Sequence, residues 1–332
     1  MKVSIIGAGS FGTTMAIVAA RAGHDVLLWA HDPSVADGIR RARRNPIYMP
    51  AIELDARIAA THSLAEAAEF SDSLFMVVPS HHYRRVLAEL GSSVKRVDVI
   101  SGTKGIENET LETMSQVTSQ VLGDKLRGFA VLSGPTFALE AARGDPTVAV
   151  VASTDDDFAS AAQGMLSGGT FRLYRTNDVV GVELAGSLKN VIAIAAGVVE
   201  GLGLGSNTNA ALVTRGLHEM TKLGMALGGR LETFAGLAGM GDLVLTCTGA
   251  LSRNRRVGVE LGRGKTLEQI LGETREVAEG VKTAKAAQAL AERHRIEMPI
   301  TTEMYRVLYE KESAPAAIQR LMTRSLKAEF VR

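Results

Sequence analysis

At 332 residues the chain is longer than a single hydrophobic core usually serves, so two domains are expected. Hydrophobic residues make up 46% and charged residues 22%, and 37 basic against 36 acidic side chains exclude the one-signed field that attracts nucleic acid or an anionic membrane. A single cysteine, Cys247, excludes an internal disulfide and reads as core filler in a reducing compartment.

Val3–Ile6 is a short β-rich run that begins too close to the first residue to leave room for a signal peptide. No unbroken apolar run approaches the roughly 20 residues of a membrane span, so a cytoplasmic protein with small-molecule partners, and with neither nucleic acid nor membrane, is expected. The run leads into Gly7-Ala-Gly9-Ser-Phe-Gly12 and a helical stretch from Thr13 to Ala22. A G-x-G-x-x-G between a strand and a helix is the pyrophosphate turn of a dinucleotide site. Gly7 permits the tight turn, Gly9 lets the backbone approach the phosphates, Gly12 allows close helix-to-strand packing, and the helix N-terminus supplies free N–H groups. The second strand, Val26–Trp29, ends at Ala30-His31-Asp32. Asp32 suits an adenine-ribose hydroxyl, whereas His31 with Arg40, Arg41, Arg43 and Arg44 suits a 2′-phosphate. Both NAD and NADP stay open, with a lean to NADP or to both.

Further β-like runs at 57–61, 74–78, 97–101, 130–132 and 147–152 alternate with helical patterns, the mark of a mainly parallel, doubly wound sheet. Ligands bind beyond the carboxyl ends of such strands, which gathers Pro79-Ser80, Gly102-Thr-Lys104-Gly105 and Gly134-Pro-Thr136 around one crevice. Lys104, flanked by glycines at a strand end, is a substrate-binding candidate. His81-His82 reads as the start of a surface helix.

Near Thr176-Asn-Asp178 the pattern changes to long helical stretches, with Asp178 a helix cap. The fold class expected is therefore α/β: an N-terminal Rossmann-type doubly wound sheet over 1–178, followed by an all-α domain over 179–332. Gly201-Leu-Gly-Leu-Gly205 has no strand before it and reads as a break between two core helices. From Val191 to Val199 no polar side chain interrupts the chain, and with Leu184 and Leu188 this gives a helix apolar all round. Lys189, placed in the first turns of that helix, is either a buried ammonium with a task or a lysine snorkelling from the helix start. Asp242 sits in a glycine-rich loop that can carry its carboxylate deep into a cleft. Ser252 caps the next helix, whose first turn holds Arg253 and Asn254. Free N–H groups, a helix dipole and a forked guanidinium together make a receptor for a phosphate dianion; the alternative is a solvated basic turn. The histidines and carboxylates show no metal-ligand spacing, and no nucleophilic triad is evident.

Taken together these segments resemble the bacterial NAD(P)-dependent glycerol-3-phosphate dehydrogenase family. The resemblance is carried by Ile5-Ile-Gly-Ala-Gly-Ser-Phe-Gly-Thr13, Val77-Val-Pro-Ser-His81, Thr103-Lys-Gly105, Leu132-Ser-Gly-Pro-Thr-Phe137 and Leu188-Lys-Asn-Val-Ile-Ala-Ile194. It continues through Gly239-Met-Gly-Asp-Leu-Val-Leu-Thr-Cys-Thr248, Ser252-Arg-Asn-Arg-Arg256, Val277-Ala-Glu-Gly280 and Glu297-Met-Pro-Ile300. It implies reversible reduction of dihydroxyacetone phosphate to sn-glycerol 3-phosphate with hydride from NAD(P)H, for phospholipid synthesis, by a homodimer. It also implies that Lys189 is the acid/base residue, with Lys104 and Asp242 beside it. Lys104, Gly134, Thr136, Asp242, Ser252, Arg253 and Asn254 are implied to line the substrate, and Ser10, Phe11, His31, Lys104, Ala138, Arg253, Val277 and Glu279 to touch the cofactor. Burial and the charges of Lys104 and Arg253 are expected to lower the pKa of Lys189. The competing readings are a β-hydroxyacid or 6-phosphogluconate type dehydrogenase and a non-catalytic NAD(P)-sensing protein.

Overall fold

The computed structural model describes residues 1–273, 277–326 and 328–329. The first half alternates strands and helices: β1 (Lys2–Ile6), α1 (Ser10–Arg21), β2 (Asp25–Trp29), α2 (Pro33–Ala42), β3 (Ile58–Thr61), α3 (Leu64–Phe70), β4 (Ser73–Met76), α4 (Ser80–Ser93), β5 (Val97–Ser101), α5 (Met114–Leu122), β6 (Leu126–Ser133), α6 (Ala138–Arg143), β7 (Thr147–Ala152), α7 (Asp156–Leu166) and β8 (Phe171–Thr176). The strands form one eight-stranded sheet in the order β3-β2-β1-β4-β5-β6-β7-β8. All neighbours are parallel except β6 and β7.

Residues on β1 alternate between the two faces of this sheet. Ile5 packs into a core with α1 and α2, and Ile6 into one with α3, α4 and α5. The strand β8 was not anticipated: Phe171 and Leu173 point inward, but Arg172 and Tyr174 on the outer face, and the exposed Arg175 that follows Leu173 on the inner one, dilute the apolar signal of an edge strand.

From residue 179 the chain is helical: α8 (Val179–Gly201), α9 (Ser206–Ala226), α10 (Leu231–Ala235), α11 (Asp242–Thr248), α12 (Arg253–Gly262), α13 (Leu267–Gly272), α14 (Glu279–His294), α15 (Pro299–Tyr309) and α16 (Ala314–Met322). The Asp178 carboxylate caps α8 by accepting from Gly181 N at 2.9 Å, and the glycine-rich stretch before residue 206 separates α8 from α9. Among the described residues α8 is the one helix long and apolar enough to cross a membrane, yet it is buried among α9, α11, α12, α14 and α15.

Lys189 is not in the first turns of this helix. It stands ten residues in, because Gly181, Gly186 and Ser187 interrupt the apolar pattern without interrupting the helix. Asp242 is likewise not in a loop. The bond from Gly241 N to Gly236 O, 3.1 Å, closes one π-helical turn over Leu237–Gly241, and Asp242 opens α11 directly after it.

The contact of α8 with α12 is made by glycines. A Cβ on Gly258 would lie 1.9 Å from Ile194 O, one on Gly197 2.0 Å from Arg255 O, and one on Gly201 2.2 Å from Val259 O. No larger residue allows the two backbones this approach, which sets the start of α12 over the middle of α8.

Candidate active site

The glycine turn makes the floor of a cleft of about 620 Å³ bounded by both halves of the chain. Gly7 has φ +123°, and a Cβ there would press on Val77 O at 2.8 Å. Gly9 has nothing within 4 Å of where its Cβ would be, so the backbone opens into the cleft, and α1 has no side-chain cap. This is the cradle a dinucleotide pyrophosphate needs, and the residues present fit that group. Ser10, Phe11, Gly12, His31, Ala138, Val277 and Glu279 line the same cleft.

At the β2 end the details differ from expectation. Asp32 spends a carboxylate oxygen on Ser34 N, 2.8 Å, as the cap of α2. None of the four arginines lines the cleft: Arg40 pairs with Asp37, Arg43 donates to Leu54 O, and Arg44 faces Pro50 O and Glu53. Near His31 the cleft is lined instead by His82 and Arg85 of α4, whose charges act on one another. The polar face of α4 gave no sign of this, since a cleft-lining face and a solvated face have the same composition.

At the other end, Asp242 carries a lysine on each oxygen. Lys189 Nζ donates to Oδ1 at 2.7 Å and Lys104 Nζ to Oδ2 at 2.7 Å. Lys189 donates also to Thr246 Oγ1 at 2.6 Å, and Lys104 to Gly134 O at 3.1 Å. Lys189 is 5% exposed, which removes the snorkelling reading. Burial pushes its pKa down, the Asp242 carboxylate pushes it back up, and the Lys104 charge lowers it again, leaving it at about 8. Lys104, and not Arg253, is the cation acting on it. Burial also pushes the Asp242 carboxyl up, but the two ammonium groups outweigh it and hold Asp242 below the usual carboxylate range. Thr246 escaped the sequence reading. The only trace is its position four residues after Asp242 on one helix, where its hydroxyl also donates to Asp242 O at 2.6 Å.

Ser252 caps α12 by accepting from Arg255 N at 3.2 Å, and Arg253 is exposed beside the first turn, toward the cleft. Asn254 is buried. Its Nδ2 donates to Asn190 Oδ1 and its Oδ1 accepts from Gly280 N, both at 2.9 Å, so it braces α8, α12 and α14. Thr136 lines the cleft, whereas Gly134, at φ +141°, lies behind the wall and contributes its carbonyl to Lys104. Glu279 accepts from Ser80 N at 3.0 Å and Ser80 Oγ at 2.7 Å. One cleft thus runs from His31 past the glycine turn to Lys189 and Arg253.

The first half, residues 2–159, matches the N-terminal domain of NAD-dependent glycerol-3-phosphate dehydrogenase, and residues 178–319 match its C-terminal domain. A glycerol-3-phosphate dehydrogenase [NAD(P)+] from Geobacter sulfurreducens is 53% identical over 330 residues, spanning 99% of this chain and 98% of that protein. The chain belongs to the glycerol-3-phosphate dehydrogenase family. A member from Koribacter versatilis is 48% identical over 332 residues, covering 99% of this chain and 98% of its own. The solved structure of the glycerol-3-phosphate dehydrogenase from Coxiella burnetii, 38% identical, superposes with a TM-score of 0.94 over 97% of this chain and 99% of that one. Members of this family are oxidoreductases that use NAD or NADP.

Proposed function

We propose that the chain catalyses the reversible, NAD(P)H-dependent reduction of dihydroxyacetone phosphate to sn-glycerol 3-phosphate. The observation that carries this is the buried Lys189–Asp242–Lys104 cluster at the meeting of a dinucleotide cleft and the start of α12. When bound, the nicotinamide supplies a hydride to the carbonyl carbon.

Charge then develops on the carbonyl oxygen, and Lys189 donates a proton to it. In the oxidation direction neutral Lys189 takes the hydroxyl proton. Burial does most to lower the proton affinity of Lys189; Asp242 orients the ammonium and offsets part of that lowering, and the Lys104 charge adds to it. The guanidinium of Arg253 and the N–H groups opening α12 receive the phosphate dianion. A helix start with a guanidinium receives a carboxylate too; the match of both halves of the chain to the glycerol-3-phosphate dehydrogenase family is what favours the phosphate over a hydroxyacid.

The test is steady-state oxidation of NADPH and NADH with dihydroxyacetone phosphate, and with unphosphorylated dihydroxyacetone as control. Turnover restricted to the phosphorylated ketone is expected; equal turnover of both, or of neither, defeats the reading. We also infer a division into domains at residue 178, action in the cytoplasm, and assembly as a homodimer. In support of the last, Met225, Leu231, Met240 and Val244 present apolar side chains to solvent on α9, α10, α11 and the turn between them. Light scattering across a concentration series checks it.

A further inference from the structure

Lys104 belongs to the segment 102–113 between β5 and α5, which has neither helix nor strand of its own. The segment passes from the sheet into the helical half. Ile106, 1% exposed, is part of the helical core, and Leu111 packs against that core. What fastens this crossing to the sheet half is Glu107. Its carboxylate accepts from Arg84 Nε at 2.8 and 3.1 Å, from Arg84 Nη2 at 2.7 Å and from Thr110 Oγ1 at 2.6 Å. Its backbone closes the turn as well: Glu107 N donates to Glu112 O and Leu111 N donates to Glu107 O, each at 2.9 Å. Within that turn Leu111 has φ +65°, a conformation a leucine keeps only when its surroundings impose it. Arg84, on α4, reaches Glu112 Oε2 and Gln120 Oε1 too, both at 3.0 Å.

This is more restraint than a surface ion pair. The Glu107 side chain is 8% exposed, and a guanidinium fork fixes direction as well as distance. The restrained residue is three positions from Lys104, whose ammonium is held on Asp242 Oδ2 at 2.7 Å. The groups that act on Lys189 are Asp242 and Cys247 of α11 and Lys104 of the crossing segment.

We propose that the Arg84–Glu107 fork is a positioning device for the acid–base centre, fixing Lys104 against Asp242 and through Asp242 setting the proton affinity of Lys189. The proposal rests on Lys189 being the acid–base group. Its sign follows from geometry. If the fork is broken and Lys104 leaves Oδ2, the Asp242 charge is shared with one cation in place of two, and a repelling cation moves away from Lys189. Both changes make Lys189 hold its proton more tightly.

The experiment compares the pH dependence of glycerol 3-phosphate oxidation and ketone reduction for the full-length enzyme, Glu107→Gln, Arg84→Gln and Arg84→Lys. NADPH affinity is measured for each by fluorescence titration. In the two glutamine variants the limb belonging to Lys189 is expected to move upward by about half a pH unit or more. The oxidation kcat at neutral pH should fall about threefold or more, in step with that shift, with NADPH affinity within about twofold of the parent. Arg84→Lys, which keeps the charge and loses the fork, should fall between. Arg127→Gln removes a guanidinium–carboxylate pair with Asp98 at the opposite end of β5 from the crossing and serves as the structural control. Variants that lose thermal stability but keep the limb where it was overturn the positioning role. An unmodified enzyme without that limb, or an active Lys189→Met, overturns the acid–base reading beneath it. Should the glutamine variants fail to fold, Arg84→Lys carries the comparison alone, and an unmoved limb in it is equally decisive.

Discussion

Lys189 and Asp242, both buried, meet at 2.7 Å with Asp242 giving its other oxygen to Lys104. A lysine in this setting titrates near pH 8, so one group serves as acid below that value and as base above it.

Opposite pH trends in the two directions are therefore expected. Ketone reduction needs protonated Lys189 and should fall as pH rises through about 8, while glycerol 3-phosphate oxidation needs the neutral amine and should rise over the same interval. Lys189→Ala should lower kcat in both directions by about 10²–10⁴-fold with NADPH affinity near normal. Rate–pH profiles and a fluorescence titration of the variant check both statements; parallel trends would contradict the assignment.

Arg253→Lys should raise KM for dihydroxyacetone phosphate roughly tenfold and change kcat much less, because a point charge replaces a bidentate fork. Steady-state kinetics with varied substrate decide this. An unaltered KM would leave only the N–H groups of α12 to hold the phosphate.

His31, His82 and Arg85 share the β2 end of the cleft, while Asp32 is engaged in capping α2. A 2′-phosphate finds basic partners there, and Asp32 commits one of its two oxygens to the cap, so NADPH should be preferred to NADH. Arg85→Gln should cut kcat/KM for NADPH roughly tenfold and leave that for NADH almost unchanged. Equal losses with both cofactors would mean that Arg85 does not sense the 2′ position.

Gly258→Ala places a methyl group 1.9 Å from the Ile194 carbonyl oxygen in the α8–α12 crossing. The variant should lose about 1–3 kcal/mol or more of stability, measurable by urea unfolding. Activity at low temperature should fall as well, since the start of α12 has to move relative to Lys189. A variant that loses stability and keeps full activity would show that the crossing does not set the site.

The sheet was legible because G-x-G-x-x-G and the β runs are local signals, and Lys189, Asp242 and Arg253 stood out as charges next to apolar or glycine-rich stretches. Thr246 was not legible, because a threonine on an apolar helix has many ordinary reasons to be there. The partners of Glu107 and Glu279 were hidden for a different reason. Arg84 lies 23 residues from Glu107, and Ser80 lies 199 residues from Glu279, so only the folded chain brings the pairs together. Placing Lys189 near a helix start was an error of local pattern: glycine and serine at 181, 186 and 187 read as an interruption but fit inside a buried helix.

The bond between Glu279 and Ser80 bears on how the polypeptide reaches its final form. Helix α4 begins at Ser80 with Pro79 before it and no side-chain cap of its own, and the carboxylate that satisfies its first N–H arrives from the start of α14. Glu183 of α8 adds to the first turn of α5, which has a Thr113–Gln116 capping box of its own, by accepting from the Ser115 amide at 2.7 Å and its hydroxyl at 2.6 Å. The later-made part of the chain therefore contributes to the first turns of two helices of the earlier-made part. A nascent chain that has emerged only through the sheet lacks the carboxylate for the first turn of α4, the helix whose His82 and Arg85 line the cleft, until residue 279 has been made.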